Sequence, residues 1–248
     1  MKRIIKLTLL LLCPLLAACS TTSSISADGQ IRDPYEGYNR TMFSFNNGLD
    51  RFFLKPVSQG YRFVTPDFVE QRISNMFFNL LEVRSIFNGV LQGKGKKSAN
   101  YTGRFLVNST LGLVGMFDVA KYLGMPKDDP EDFGQTLASW GVNSGPYVVL
   151  PFLGSSTLRS TSGLPIDSAL DPTNYIQHPR TYYSTKAAQL IDTRAGFLEA
   201  EKLLTGDRYI FVRDAYLQRR QYLVNDGVVE DSFGNGLLDS DLDSIDKP

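Results

Sequence analysis

No regular helix or strand can run the length of Phe133–Arg159, FGQTLASWGVNSGPYVVLPFLGSSTLR. Four glycines and two prolines divide it, and it carries the chain's only tryptophan. Trp140-Gly141, Gly145-Pro146-Tyr147 and Leu150-Pro151 are the breaks, with the apolar run Tyr147–Phe152 between them. Gly and Pro leave such a segment little hydrogen bonding of its own, so its neighbours must pin it. It could serve as an active-site loop, a packing device or part of a passage. The 248 residues, 42% apolar, suffice for one sizeable core or two small ones. A formal net charge of zero gives no reason to expect nucleic acid as a partner.

The N-terminus reads as a targeting segment. Lys2, Arg3 and Lys6 precede an apolar run from Leu7 to Ala18, broken only by Thr8 and Pro14. That run is too short and too weakly flanked to span a membrane. It ends in Leu16-Ala17-Ala18-Cys19, which resembles a bacterial lipobox. Small residues fit a peptidase cleft, and the Cys19 thiol accepts the lipid. We therefore expect residues 1–18 to be a signal peptide and Cys19 to be the lipidation site. Loss of 18 residues from 248 leaves 230, and with Lys2, Arg3 and Lys6 gone the formal charge falls to −3. Cys13 leaves too, so Cys19 is the only cysteine left and an internal disulfide or cysteine-based zinc site is excluded. Several acyl chains on one residue anchor far better than one. Ser20, in place of an inner-membrane-retaining Asp, leans the address towards the outer membrane.

Residues 19–32 are small and polar and read as a tether. Asp33-Pro34-Tyr35-Glu36 has the residues of a helix start, with Asp33 as cap and Glu36 at capping-box spacing. Tyr38, Met42, Phe45, Leu49 and Phe52 then follow at helical steps, opposite Asn39, Arg40, Asn46, Asn47, Asp50 and Arg51. The stripe either faces a core or lies in a membrane interface. This helix should end before Pro56. Thr65-Pro66-Asp67 starts one kinked helix or two consecutive ones reaching Leu91. Gly93–Lys97 is a basic turn, solvated or in contact with anionic headgroups; it lacks the glycine spacing of a phosphate loop. Ser98–Leu106 reads as helix, and the uncharged Phe105–Phe117 as a buried helix or a re-entrant hairpin. Lys127–Asp132 is an acidic turn. Tyr182–Leu204 and Asp207–Asn225 read as helices, and residues 226–248 as a disordered acidic tail.

Enzyme chemistry finds few residues to use. His178 is the only histidine and stands beside Pro179 in a loop. Ser155 and Ser156 follow Gly154, but without the spacing of a nucleophile elbow. Asp128, Asp129, Glu131 and Asp132 lack the pattern of a calcium loop. We expect no enzyme activity, no metal and no cofactor. A lipid-anchored helical chain with aromatic stripes points instead to handling lipid or binding a membrane partner.

Asp33-Pro34-Tyr35-Glu36-Gly37-Tyr38-Asn39-Arg40, Phe43-Ser44-Phe45-Asn46 and Leu49-Asp50 resemble the N-terminal signature of the MlaA (VacJ) outer-membrane lipoproteins. Phe133-Gly134, Trp140-Gly141, Gly145-Pro146-Tyr147 and Leu150-Pro151 resemble a second signature, and Asp192-Thr193-Arg194-Ala195 and Arg213–Arg220 later blocks. Ser160 stands where the family has an acid. The resemblance covers about residues 33–225 as one helical domain. It implies a mainly α fold: a ring-like arrangement of amphipathic helices lying in the membrane plane, with few or no strands. It also implies removal of phospholipid from the outer leaflet to a soluble periplasmic lipid carrier, beside a trimeric outer-membrane porin. On this reading Phe43, Phe45, Asn46 and Asn47 form the membrane rim or lipid path, and Asn143 and Ser144 are further path-lining candidates. Arg213 and Arg220 are expected to dock the carrier. A lipoprotein that only braces the porin is the alternative, and a lipid hydrolase a third class. With no credible nucleophile, Phe133–Arg159 remains a device closing the ring or a lining of the path. The lipobox makes a direct prediction: Cys19→Ala leaves the chain unacylated, as checked by loss of palmitate labelling in cells.

Overall fold

A computed structural model describes residues 33–204 and 206–228. Cys19, the tether up to residue 32 and the acidic tail from residue 229 lie outside the described residues. The fold is mainly α. In chain order it comprises α1 (Glu36–Leu49), α2 (Lys55–Val64), α3 (Asp67–Leu91), α4 (Gly95–Thr110), α5 (Phe133–Ser139), β1 (Tyr147–Leu150), β2 (Gly154–Thr157), α6 (Leu158–Ala169), α7 (Pro179–Gly196) and α8 (Arg208–Val224).

Helix α1 begins two residues later than the capping pattern suggested. Asp33 closes a turn onto the Tyr35 N–H and also accepts from the Asn39 amide, while Glu36 pairs with Arg40 at 2.7 Å instead of closing a capping box. Nor does the chain stop before Pro56. A π-helical turn, Asp50–Leu54, joins α1 directly to α2. The widened turn re-registers the hydrogen bonds, so Pro56 falls in the first turn of α2, where its missing N–H is not needed. Helix α3 runs unbroken through 25 residues and packs along α4. The basic turn between them is neither solvated nor free for headgroups at two of its lysines: Lys94 and Lys97 both reach Glu131 and Asp226. The apolar Phe105–Phe117 is not a buried helix, since α4 ends at Thr110 and an exposed turn follows. At the far end, helix α7 stops at Gly196, short of Leu204.

The strands form one antiparallel hairpin, with Tyr147 opposite Thr157 and Leu150 opposite Gly154. Its two ends are tied differently. At the open end the Arg159 N–H donates to the Ser144 carbonyl, and Thr157 caps α6 through the Ser160 N–H. Along β1 the ties come from α1. The Asn39 amide donates to the Tyr147 carbonyl and its oxygen accepts from the Val149 N–H; two turns on, Asn46 repeats the pattern with the Leu150 carbonyl and the Phe152 N–H. Two asparagines seven residues apart thus stand in for a missing neighbouring strand.

Packed neighbours close a circuit: α1 on β1, β2 on α8, α8 on α5, α5 on α3, α3 on α7, α7 on α2, and α2 back to α1 through the π-turn. A small apolar cluster of Tyr147, Val149 and Tyr209 sits at one join. Most of the interior is polar. Among the described residues, eight apolar residues are buried against eighteen polar or charged ones. These are paired: Glu82 with Arg104 at 2.8 Å, Asn88 with Thr136 at 2.8 Å, Asp192 with Tyr61 and Ser74. A buried amide is therefore a structural fastener here. Asn39→Leu keeps the volume but orphans the Tyr147 carbonyl and Val149 N–H, and we expect a loss of about 2–3 kcal/mol. Thermal unfolding of the purified protein in detergent checks it.

Candidate functional site

The outside of the chain is as apolar as its inside is polar. Phe63 is 90% exposed, Phe152 77%, Phe52 72% and Phe53 69%. In water, so many uncovered rings mark surfaces that bind protein or membrane. No described helix is long and apolar enough to cross a membrane.

Several of these rings gather around the π-turn. Leu49, Phe53, Leu54 and Val57, from α1, the turn and α2, form one wall of an open groove of about 460 Å³. Leu190 and Ile191 of α7 form another wall, and Phe152 at the hairpin tip a third. A volume of this size suits a small apolar ligand or part of a larger one. Asn46 holds the hairpin tip in place, and Phe45 packs edge-on against Phe152 at 5.3 Å.

Asp50 stands at the groove's edge and begins a charged network. Arg194 grips Asp50 with two hydrogen bonds of 2.6 and 2.9 Å and also donates to Glu201. Lys55 and Arg208 reach the same Glu201 carboxylate at 3.0 and 2.6 Å. Burial alone would raise the Glu201 carboxyl, but hydrogen bonds from Arg194, Lys55 and Arg208 outweigh it and hold it down to about 2. Asp50, Arg194, Glu201 and Arg208 also edge a second groove of about 390 Å³, walled by Phe197, Leu204, Phe211 and Val212. Two apolar grooves therefore flank one band of fixed charge. That arrangement can hold an amphiphile, with chains in the grooves and a polar head against the band. Among the described residues no cluster of His, Cys, Asp and Glu is arranged to hold a metal ion.

The structure brings some of the expected residues together and separates others. Phe45 and Asn46 meet at the groove, but the Asn46 amide is occupied by hairpin backbone. Phe43 turns to Tyr209, at 5.6 Å. Asn47 is half-buried and its side chain makes no hydrogen bond among the described residues. Asn143 is exposed and Ser144 half-buried, at the end of the hairpin away from its tip. Arg213 and Arg220, expected to dock the carrier, each have an acidic partner in the fold. Arg220 is turned inwards onto Asp132 through two hydrogen bonds, and the buried Arg213 pairs with Asp214. The Arg220 guanidinium ties α8 to Asp132 at the start of α5, while the Arg213 pair lies within α8 itself. Asn39, the π-turn and the Asp50–Arg194–Glu201 network had no place in the sequence reading. The seven-residue Asn spacing was a readable signal; the partners of Asp50, 144 residues away, were not.

Residues 31–223 match the family model described as MlaA lipoprotein. The chain belongs to this family. It is 35% identical to the Escherichia coli (strain K12) intermembrane phospholipid transport system lipoprotein MlaA, over 94% of each chain. It is 34% identical to the Haemophilus influenzae protein of that name, over 97% of this chain and 98% of the relative. A solved structure described as "Structural basis for maintenance of bacterial outer membrane lipid asymmetry" matches with a TM-score of 0.69 and 37% identity, covering 78% of this chain and all of the other. This MlaA-family chain so combines the mainly α fold of its relatives with a charged band beside apolar grooves.

Because its folded carboxyl lies below the ordinary range of about 4.3, Glu201 stabilises the fold fully above that range. The contribution is lost as pH falls towards about 2. Glu201→Gln should cost about 1–2 kcal/mol at pH 7, between exposed and buried ion pairs, and the gap to wild type should narrow below about pH 4 and close only as pH reaches about 2. Urea unfolding across pH checks this.

Proposed function

We propose that this chain is an outer-membrane lipoprotein, lipid-anchored on the periplasmic side, that removes mislocalised phospholipid from the outer leaflet. It passes the lipid to a soluble periplasmic carrier for return to the inner membrane, and so maintains lipid asymmetry. The names of its relatives, an intermembrane phospholipid transport system, support this reading. One structural observation carries it: apolar grooves abut the Asp50–Arg194–Glu201 band in a chain whose exterior is apolar and whose interior is polar. A phospholipid headgroup loses much solvation on entering hydrocarbon. A polar interior wrapped in apolar side chains lowers that cost, while acyl chains stay with lipid or groove.

On this reading the circuit of helices lies in the plane of the inner leaflet as a ring. Phe43, Phe45, Asn46 and Asn47 belong to its rim, with Asn46 acting by seating the hairpin tip. Asn143 and Ser144 line the far end of the path. The protein performs no covalent chemistry; its partners are phospholipid, the carrier and a trimeric porin beside it. The porin-bracing alternative draws on the same exposed hairpin tip, Phe152 and Leu153, which could equally meet a protein wall.

Phe43→Asp and Phe45→Asp put charges into this rim. With the protein expressed at normal level, we expect each to raise surface phospholipid and detergent sensitivity towards the deletion strain, by more than half its effect. An unchanged outer leaflet in the deletion strain would favour the brace, and release of lysophospholipid or free fatty acid by purified protein would favour a hydrolase.

A further inference from the structure

Away from the grooves, Arg72 is one of several cations with no acidic partner among the described residues. Arg72, on α3, makes no ion pair or hydrogen bond with any described residue, and its Nε is buried without a partner. Its guanidinium lies between two rings, 4.9 Å from the centre of Phe68 and 4.5 Å from that of Phe117. Stacking satisfies the faces of a guanidinium, not its in-plane N–H donors. Phe68 is itself exposed.

Phe117 closes the turn that follows α4, and this turn presents Leu111, Leu113 and Val114 outwards. Leu113 and Val114 both adopt left-handed backbone, with φ of 51° and 59°, a conformation costly for a β-branched residue. The turn is held there. The Gly115 N–H donates to the Asn108 carbonyl at 2.8 Å, the Phe117 N–H to the Gly112 carbonyl at 2.9 Å, and the Asn75 amide of α3 to the Met116 carbonyl at 3.3 Å. A side chain on Gly115 would strike Asn79 at 2.6 Å. The backbone therefore fixes three apolar side chains in an outward position. Beyond Phe117, the exposed Lys121 is another cation with no acidic partner among the described residues, and it lies over Tyr122. Cations on aromatic rings at the border of an outward apolar tip match the order of a bilayer surface: phosphate level, then acyl chains.

We propose that Arg72 binds the phosphate of a bilayer phospholipid and that the turn Leu111–Phe117 inserts into the acyl layer beneath it. Its Nη–H groups donate to the phosphodiester oxygens, with the buried Nε–H beside them as the reporter, and Lys121 adds positive charge at the same level. This is an anchoring site separate from the grooves, and it rests on the reading of the chain as lipid-embedded.

The test uses the full acylated protein in dodecyl maltoside, with the Arg72 Nε–H followed by NMR during titration with dihexanoylphosphatidylglycerol. The resonance should shift, and inorganic phosphate at the same concentration should leave it unmoved. Arg72→Gln should weaken binding, read at the Phe117 amide, about tenfold, the effect of one charge-assisted hydrogen bond; Arg72→Lys should restore part of it. In phosphatidylglycerol vesicles, bimane on Leu113→Cys should shift to the blue and be quenched by acyl-chain doxyl lipid. No shift at Arg72, or an equal response to inorganic phosphate, overturns the lipid-phosphate site. A water-like bimane spectrum overturns insertion of the turn. None of these readouts measures lipid transport, so a failed transport reading and a failed anchor are told apart.

Discussion

Buried side-chain hydrogen bonds and ion pairs hold this molecule together, because its apolar side chains face mainly outwards. In a water-soluble domain the hydrophobic effect drives the helices together. Here Asn39, Asn46, Asp132–Arg220 and Asp50–Arg194–Glu201 make the joins between elements distant in sequence, and Glu82–Arg104 joins the consecutive helices α3 and α4. Such groups are costly to leave unmatched in low-dielectric surroundings, so each join admits few alternative geometries. A lipid-clad protein needs this, since surrounding hydrocarbon gives its helices no solvophobic reason to associate.

The π-turn shows how one local irregularity serves the site. Without it, Pro56 would end the helix, and α2 could not continue along α7. With it, Asp50 points to Arg194 while Phe53 and Leu54, in the same turn, line the apolar groove. Polar and apolar recognition elements are thereby set side by side within five residues. The hairpin tip completes the groove only because Asn46 seats it, which links the N-terminal helix to the Gly- and Pro-rich segment that could not organise itself.

The comparison of sequence and structure follows the range of each interaction. The start at Thr65-Pro66-Asp67 announced α3, and the run from Asp207 announced α8, because helix signals are a local property. The fate of Pro56 depended on hydrogen-bond register two turns back, which residue preferences describe poorly. Lys94 and Lys97 looked like a free basic turn until Glu131 and Asp226 were brought to them. Arg220 looked suited to a partner surface, but in the fold its charge is matched by Asp132. A charged side chain in a sequence says nothing about which distant group will meet it.

By itself, the sequence determined the mainly helical class, the interruption at Phe133–Arg159, the family signatures and the lack of recognisable catalytic motifs. Those features depend on residue type and short spacing, which a linear chain displays directly. Tertiary structure alone decided that the interior is polar, that Asn39 and Asn46 bind strand backbone, and that Asp50, Arg194 and Glu201 share one site. Each of those depends on contacts between separate elements, across more than a hundred residues for Asn39, Asn46 and Asp50. Their energy comes from desolvated polar pairs whose geometry exists only once the circuit of helices has closed.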